Sequence, residues 1–161
     1  MTSLKPSGAQ ATASPEGYVA ASVEVAAAPE RVFRALASTE IVNWWVRPGV
    51  FDTREWTGEV RVGGRWRGAG VFKGRPYVLE GDFLEVDAPR ALAHTWERAG
   101  APGPSTTVSY RLDPYDGGTR VRLRHSGFTS REACAETAVG WQTSLNRLAE
   151  LLAADASNPR G

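Results

Sequence analysis

Few residues in this chain have types and spacing suited to chemistry. His94, His125 and Cys134 are the only soft metal ligands among 161 residues, and none falls within a recognised ligand spacing, so no metal site is expected. Glu80 and Asp82 alternate onto one face of YVLEGDFLEV (77–86), with Glu85 on the other. A carboxyl at Glu80, buried beside apolar surface, would have a raised pKa suited to proton transfer. No nucleophile–base pair at diagnostic spacing accompanies it. Strand carboxylates close to arginines ordinarily form surface ion pairs worth about 0–1 kcal/mol. The glycine-bearing segments RVGGRWRG (61–68) and GAGVFKG (68–74) do not precede a helix as a phosphate loop must. They read as turns and bulges, and no cofactor is expected.

The larger signal is aromatic. The chain has six tryptophans and four tyrosines, and every buried indole N–H or phenol needs a hydrogen-bond partner. Alternation places Leu92, His94 and Trp96 on one strand face, Val108, Tyr110 and Leu112 on a second, and Val121, Leu123 and His125 on a third. Trp66 follows a double glycine, and Trp141 and Leu145 face these sets from a helix. Apolar periodicity alone fits a filled core as well as a lined pocket. His94 and Tyr110 on apolar faces favour the pocket, because an unpaired buried polar group costs about 1–3 kcal/mol and ligand sites are mostly apolar with a few polar groups. The candidate ligand-binding residues are Trp45, Trp66, Glu80, His94, Trp96, Tyr110, His125, Trp141 and Leu145, with Glu80, His94 and His125 as the polar set. In IVNWWVRPG (41–49) two tryptophans are adjacent, and neither helix nor strand buries neighbours on one face. Trp44 is assigned to packing and Trp45 to the pocket rim.

Regular elements must hold these residues in place. Residues 1–17, rich in Ala, Ser, Pro and Thr, read as a disordered tail. YVAASVEV (18–25) alternates as a strand. In AAPERVFRALAS (27–38), Pro29 suits the first helical position, and Thr39 is placed to cap a short second helix carrying the tryptophan pair. From 54 to 126, REWTGEVRV, RWRGAGVF, YVLEGDFLEV, ALAHTWE, TTVSYRL and TRVRLRHSGF read as six short strands of an antiparallel meander; with the first strand the sheet has seven. Residues 130–154 form a long amphipathic helix that starts at Ser130 and carries Trp141, Leu145, Leu148 and Leu152 on one stripe. Gly140 costs roughly 1 kcal/mol in mid-helix, so a close approach to the sheet is expected there. Residues 155–161 read as a frayed end.

Composition narrows the classes of partner. A net charge of +1 gives little attraction to nucleic acid or anionic membranes, and Arg120, Arg122 and Arg124 alternate onto a solvated outer face. No apolar run approaches the roughly 18 residues of a membrane span, and the N-terminus lacks the apolar centre of a signal peptide, so a cytoplasmic location is expected. A lone cysteine rules out an internal disulfide.

The order strand, two short helices, six antiparallel strands and a long closing helix resembles the helix-grip fold of the START-like (SRPBCC) superfamily. APERVFRALAS, NWW, RVGGRW, LEGDFLEVDAPRALAHTW, GGTRVRLRHSGF and VGWQTSLNRL occur in that order over roughly residues 18–153. Within the superfamily they are similar to the branch named after the activator of the ninety-kilodalton heat-shock protein ATPase. The resemblance implies an α+β domain over 18–154, with a curved sheet wrapped around the C-terminal helix and a cavity between them. It also implies binding of a small hydrophobic, aromatic or polycyclic molecule. Some START-like relatives catalyse aromatic cyclisation, dehydration or hydrolysis, so an enzyme acting in the same cavity is the alternative. The co-chaperone carries two domains and this chain reads as one, which disfavours a chaperone partner. Exposed edge strands need covering, which a homodimer would supply.

Overall fold

The computed structural model describes residues 8–100 and 105–157. In chain order the elements are β1 (Gln10–Ala13), β2 (Tyr18–Val25), α1 (Pro29–Leu36), α2 (Ile41–Trp44), β3 (Val46–Arg47), β4 (Phe51–Gly58), β5 (Arg65–Phe72), β6 (Arg75–Asp87), β7 (Ala91–Arg98), β8 (Thr106–Tyr115), β9 (Gly118–Ser126) and α3 (Arg131–Ser157). The strands form one curved antiparallel sheet in the spatial order β1-β2-β9-β8-β7-β6-β5-β4-β3, and α3 packs into its concave side. The α+β helix-grip architecture read from the sequence is the one observed.

The sheet has nine strands rather than seven, and both additions are edge strands. β3 is only two residues long, too short for any periodicity to show. β1 lies inside the segment read as a disordered tail. Its sequence, QATA, alternates only small alanines with polar residues, a weak signal; backbone pairing holds it, from Gln10 opposite Ser22 to Ala13 opposite Val19, and Ala11 packs against the core. The Ala9 N–H donates to Asn146 Oδ1 at 2.8 Å, which ties this edge to α3. At the other end α3 runs on to Ser157, past the expected end at residue 154. The rest of the expected tail and frayed end, residues 1–7 and 158–161, lies outside the described residues.

Local chemistry sets the turns and caps. Two hairpins turn on residue pairs that both have positive φ, Lys73–Gly74 (49° and 81°) and Asp116–Gly117 (52° and 81°). This is the type I′ pattern, whose twist matches the flanking strands. Pro29 opens α1 as the sequence suggests. Thr39 does not cap α2: Glu40 occupies the cap position, its carboxylate held by Arg31 at 2.8 Å and Arg34 at 3.1 Å. Ser130 does cap α3, its Oγ accepting the Ala133 N–H at 3.1 Å.

Two glycines allow the close approaches that shape the concave side. A Cβ on Gly140 would stand 3.4 Å from the Phe51 ring, so the glycine lets β4 press an aromatic ring against α3. A Cβ on Gly81 would meet the Thr95 carbonyl oxygen at 2.0 Å and Trp66 Nε1 at 2.7 Å. Only glycine fits between β6 and β7 there, and the space lets Trp66 donate to the Thr95 carbonyl at 3.0 Å.

Candidate ligand cavity

The inward positions of β4 to β7, together with α3, enclose a cavity of about 410 Å³. That volume is in the range of small-molecule pockets, roughly 300–1,000 Å³. The space is bordered by Phe51, Phe72 and Tyr77 on β4 to β6 and by Gly140 and Trp141 on α3. Around that gap the lining is aromatic, with Trp45, Phe51, Phe72, Tyr77, Trp96, Phe128 and Trp141 contributing. Ring centroids lie 4.9 Å apart for Trp45 and Trp96 and 5.7 Å apart for Trp96 and Trp141, so the wall is packed before any ligand arrives.

One hydrogen-bond relay fixes the most polar part of this wall. Trp141 Nε1–H donates to His125 Nδ1 at 3.0 Å, and an indole nitrogen can only donate. Nδ1 of His125 is therefore bare, and its proton sits on Nε2, which donates to Thr106 Oγ1 at 2.7 Å. Thr106 passes its own hydroxyl proton to the Trp96 carbonyl at 3.2 Å. Burial, with a smaller contribution from His94, pushes the His125 pKa down to about 3. At neutral pH this imidazole is a neutral wall residue with both nitrogens engaged.

The nine sequence-derived candidates separate into three groups. Trp45, Trp96, His125 and Trp141 line the cavity. Trp66, His94, Tyr110 and Leu145 are buried in the layer behind it. His94 stacks on Trp96 (18° between planes, centroids 6.3 Å apart), and its Nδ1–H donates to the Thr95 carbonyl at 3.0 Å. Burial lowers its pKa to about 4. Tyr110 is fully enclosed, which raises its pKa, and the nearby Trp45 indole N–H partly offsets the rise. Among the described residues, Trp45 Nε1 and the Tyr110 hydroxyl have no partner within hydrogen-bond geometry.

Glu80 is the correction. Leu79 and Gly81 take the inward positions on β6, so alternation sends Glu80 and Asp82 to the outer face. There Arg65 meets Asp82 at 2.8 Å and Glu80 at 3.8 Å. The Glu80 side chain is 35% exposed and does not line the cavity, and it falls short of the burial that proton transfer would need. Glu85 is also exposed, because a bulge after Phe83 leaves Leu84 unpaired and exposed. Glu80→Gln should change stability by less than about 0.5 kcal/mol and leave ligand affinity unaltered. Urea unfolding and a binding titration of the variant check this, and a large loss of affinity would return Glu80 to the site.

The adjacent tryptophans divide as their directions require. Trp44, last residue of α2, donates its indole N–H to the Ala35 carbonyl at 2.9 Å and joins α2 to α1. Trp45 leaves the helix at its C-cap, with its ring at 81° to that of Trp44. Only 3% exposed, Trp45 forms cavity wall rather than rim. The sequence reading missed Arg47, Phe51, Phe72, Tyr77, Arg98 and Phe128. Two steps of alternation, from Trp96 to Arg98 and from Leu79 to Tyr77, would have reached two of them.

Among the described residues no group of three His, Cys, Asp or Glu side chains could hold a metal ion, and no helix is long and apolar enough to cross a membrane. A curved antiparallel sheet gripping a long C-terminal helix, with an aromatic cavity between them, defines a START-like helix-grip protein. Within that class the chain belongs to the family described as Activator of Hsp90 ATPase homolog 1-like protein, which it matches over residues 26–153. A solved protein from Rhodobacter sphaeroides shares the fold at a TM-score of 0.78 and 24% identity, covering 92% of this chain and 99% of that one. A second, from Mycobacterium smegmatis, gives 0.73 at 21% identity, covering 89% and 95%. A third, from Mesorhizobium loti, gives 0.70 at 25% identity, covering 85% and 97%. No curated protein matches the sequence.

Proposed function

We propose that this protein binds a small aromatic or polycyclic molecule between its sheet and α3 and does not transform it. The observation that carries this reading is the preformed aromatic space of about 410 Å³. Offset and edge-to-face contacts with rings such as Trp45, Trp96 and Trp141 favour planar ligands. Side chains already packed against one another lose little freedom on binding. His125 is poorly suited to acid–base chemistry, since protonating its Nδ1 breaks its bond from Trp141, and the wall acid Glu136 is paired with Lys73 at 3.3 Å. The family's name describes a co-chaperone activity, but the cavity, rather than an exposed protein-binding face, is what the aromatic residues of this chain build.

N-phenyl-1-naphthylamine, a neutral fluorescent three-ring amine, tests the reading. Titration is expected to give saturable quenching of tryptophan emission and a rise in probe emission. Ala133→Phe, at an exposed edge of the cavity on α3, narrows the entrance without touching the core. It should weaken binding about tenfold, equivalent to about 1.4 kcal/mol of lost contact. Absence of saturable binding, or an unchanged affinity in Ala133→Phe, would remove the cavity as the ligand site.

A further inference from the structure

We infer that the ligand of this cavity is an acid: its anionic group is held at the mouth by the guanidinium groups of Arg47 and Arg98, beside the Tyr77 hydroxyl. The inference rests on the cavity being a ligand site and adds the charge of what enters it. Arg47, Arg98 and Tyr77 all border the same space. Arg47 is half-buried on β3, directly opposite Phe51, and Phe51 is directly opposite Phe72 on β5. Arg98 lies over the same Phe72 ring, its guanidinium carbon 5.6 Å from the centroid. The two arginines therefore border one aromatic floor. Burial raises the Tyr77 pKa, so its hydroxyl keeps its proton and can donate; Thr53 and Arg98 partly offset the rise, and the Asp52 carboxylate, itself paired with Arg54 at 3.2 Å, adds to it.

The charges around this mouth are unbalanced. Arg75, opposite Phe72 in register, adds positive charge, while Lys73, whose ammonium is 5.1 Å from the Phe72 centroid, only balances Glu136. Two acids border the cavity, Glu97 and Glu136. Glu136 is taken by Lys73 at 3.3 Å. Glu97 stands opposite Glu80 in the β6–β7 register, on the strand face away from Trp96 and Arg98. Among the described residues neither Arg47 nor Arg98 has a carboxylate partner, whereas Arg31, Arg65, Arg120 and Arg122 each meet one within 4 Å. The loop that follows Arg98, AGAPGP (99–104), contains no acid to supply one. A carboxylate, sulfonate or phenolate on an aromatic ligand would meet both unpaired guanidiniums while its rings lie on Phe51, Phe72 and Trp96. Guanidinium–carboxylate hydrogen bonds are short and charge-assisted, which suits them to this role.

The test uses two fluorescent probes with the same ring skeleton: anionic 1-anilinonaphthalene-8-sulfonate and neutral N-phenyl-1-naphthylamine. The anion is expected to bind about tenfold more tightly at low salt, with the advantage shrinking as salt rises. Arg47→Gln and Arg98→Gln should each weaken the anion about five- to tenfold and move the neutral probe less than about twofold. Arg124→Gln, on the outer face where Arg124 stacks over Tyr18, should change neither. Melting temperatures of the variants confirm that each remains folded. Equal affinities for the two probes would overturn the acidic-ligand inference and leave the cavity reading intact. So would arginine variants that weaken both probes alike, or an equal loss of the anion in Arg124→Gln. Failure of both probes to bind would instead remove the cavity reading, and the inference with it.

Discussion

Trp141→Ala should lower the unfolding free energy by about 3–5 kcal/mol, the range for deleting a large buried aromatic side chain. For a chain of this length that corresponds to a loss of roughly 10 °C or more in Tm. The size follows from position. Trp141 is buried at the centre of the concave face, with ring centroids 6.1 to 6.5 Å from Trp44, Trp45 and Tyr110. Removing it would merge the cavity with the core. Trp141→Phe separates packing from hydrogen bonding, since it keeps most of the ring and removes the N–H. His125 Nδ1 then loses its donor in a buried setting, at an expected cost of about 1–3 kcal/mol. Urea unfolding of both variants measures the two parts. Trp141→Phe as stable as the parent would show that the relay through His125 contributes nothing.

Acid is the second large lever, through His94 and His125. In the unfolded chain each imidazole takes up a proton as pH falls below about 6.5. In the folded protein burial holds the two pKa values down to about 4 and about 3. The unfolded state therefore binds more protons throughout that window, and stability falls as pH falls. The full contribution is present above about pH 6.5. At pH 5 about 2 kcal/mol is lost for each histidine, or about 4 kcal/mol together, a large part of the 5–15 kcal/mol typical of a domain. The loss due to His94 levels off below about pH 4 and that due to His125 below about pH 3. Urea midpoints at pH 7, 6, 5 and 4.5 measure the slope, which stays above the main carboxylate range. His94→Gln should roughly halve the slope by removing one of the two protons. A stability that is flat from pH 7 to pH 5 would show that the imidazoles are protonated as easily in the folded state as in the unfolded one.

The fold was legible because its long elements carry strong periodicity. Leu92, His94 and Trp96, then Val108, Tyr110 and Leu112, then Val121, Leu123 and His125 alternate inward as the sequence suggests, and the register sets Tyr110 opposite both Leu92 and Leu123. Pro29 and Ser130 marked their helix starts through backbone chemistry that acts locally. β1 and β3 were not legible, because β1 alternates only small alanines and is held by backbone pairing and a contact at Asn146, while β3 is two residues long. The bulge at Leu84 escaped for a related reason: one inserted residue changes the face of Glu85 without changing composition.

The site was only half legible. Periodicity picked out inward-facing residues, and four of its nine candidates do line the cavity, yet four others are as inward and lie in solid core. Whether a side chain meets a void or another side chain depends on its neighbours two strands away. Glu80 was drawn into the site because the register of β6 was unassigned; once Leu79 and Gly81 face inward, Glu80 must pair with Arg65 outside.

What the sequence determined by itself was therefore what short-range pattern governs: the order of the longer strands and helices, their inward faces and the long closing helix. The tertiary structure alone decided which inward residues border open space, the tautomer of His125, and the placement of Arg47 and Arg98 on the border of one cavity. These depend on contacts between residues tens of positions apart, brought together by sheet curvature and by the approach of α3 past Gly140, which no local pattern records.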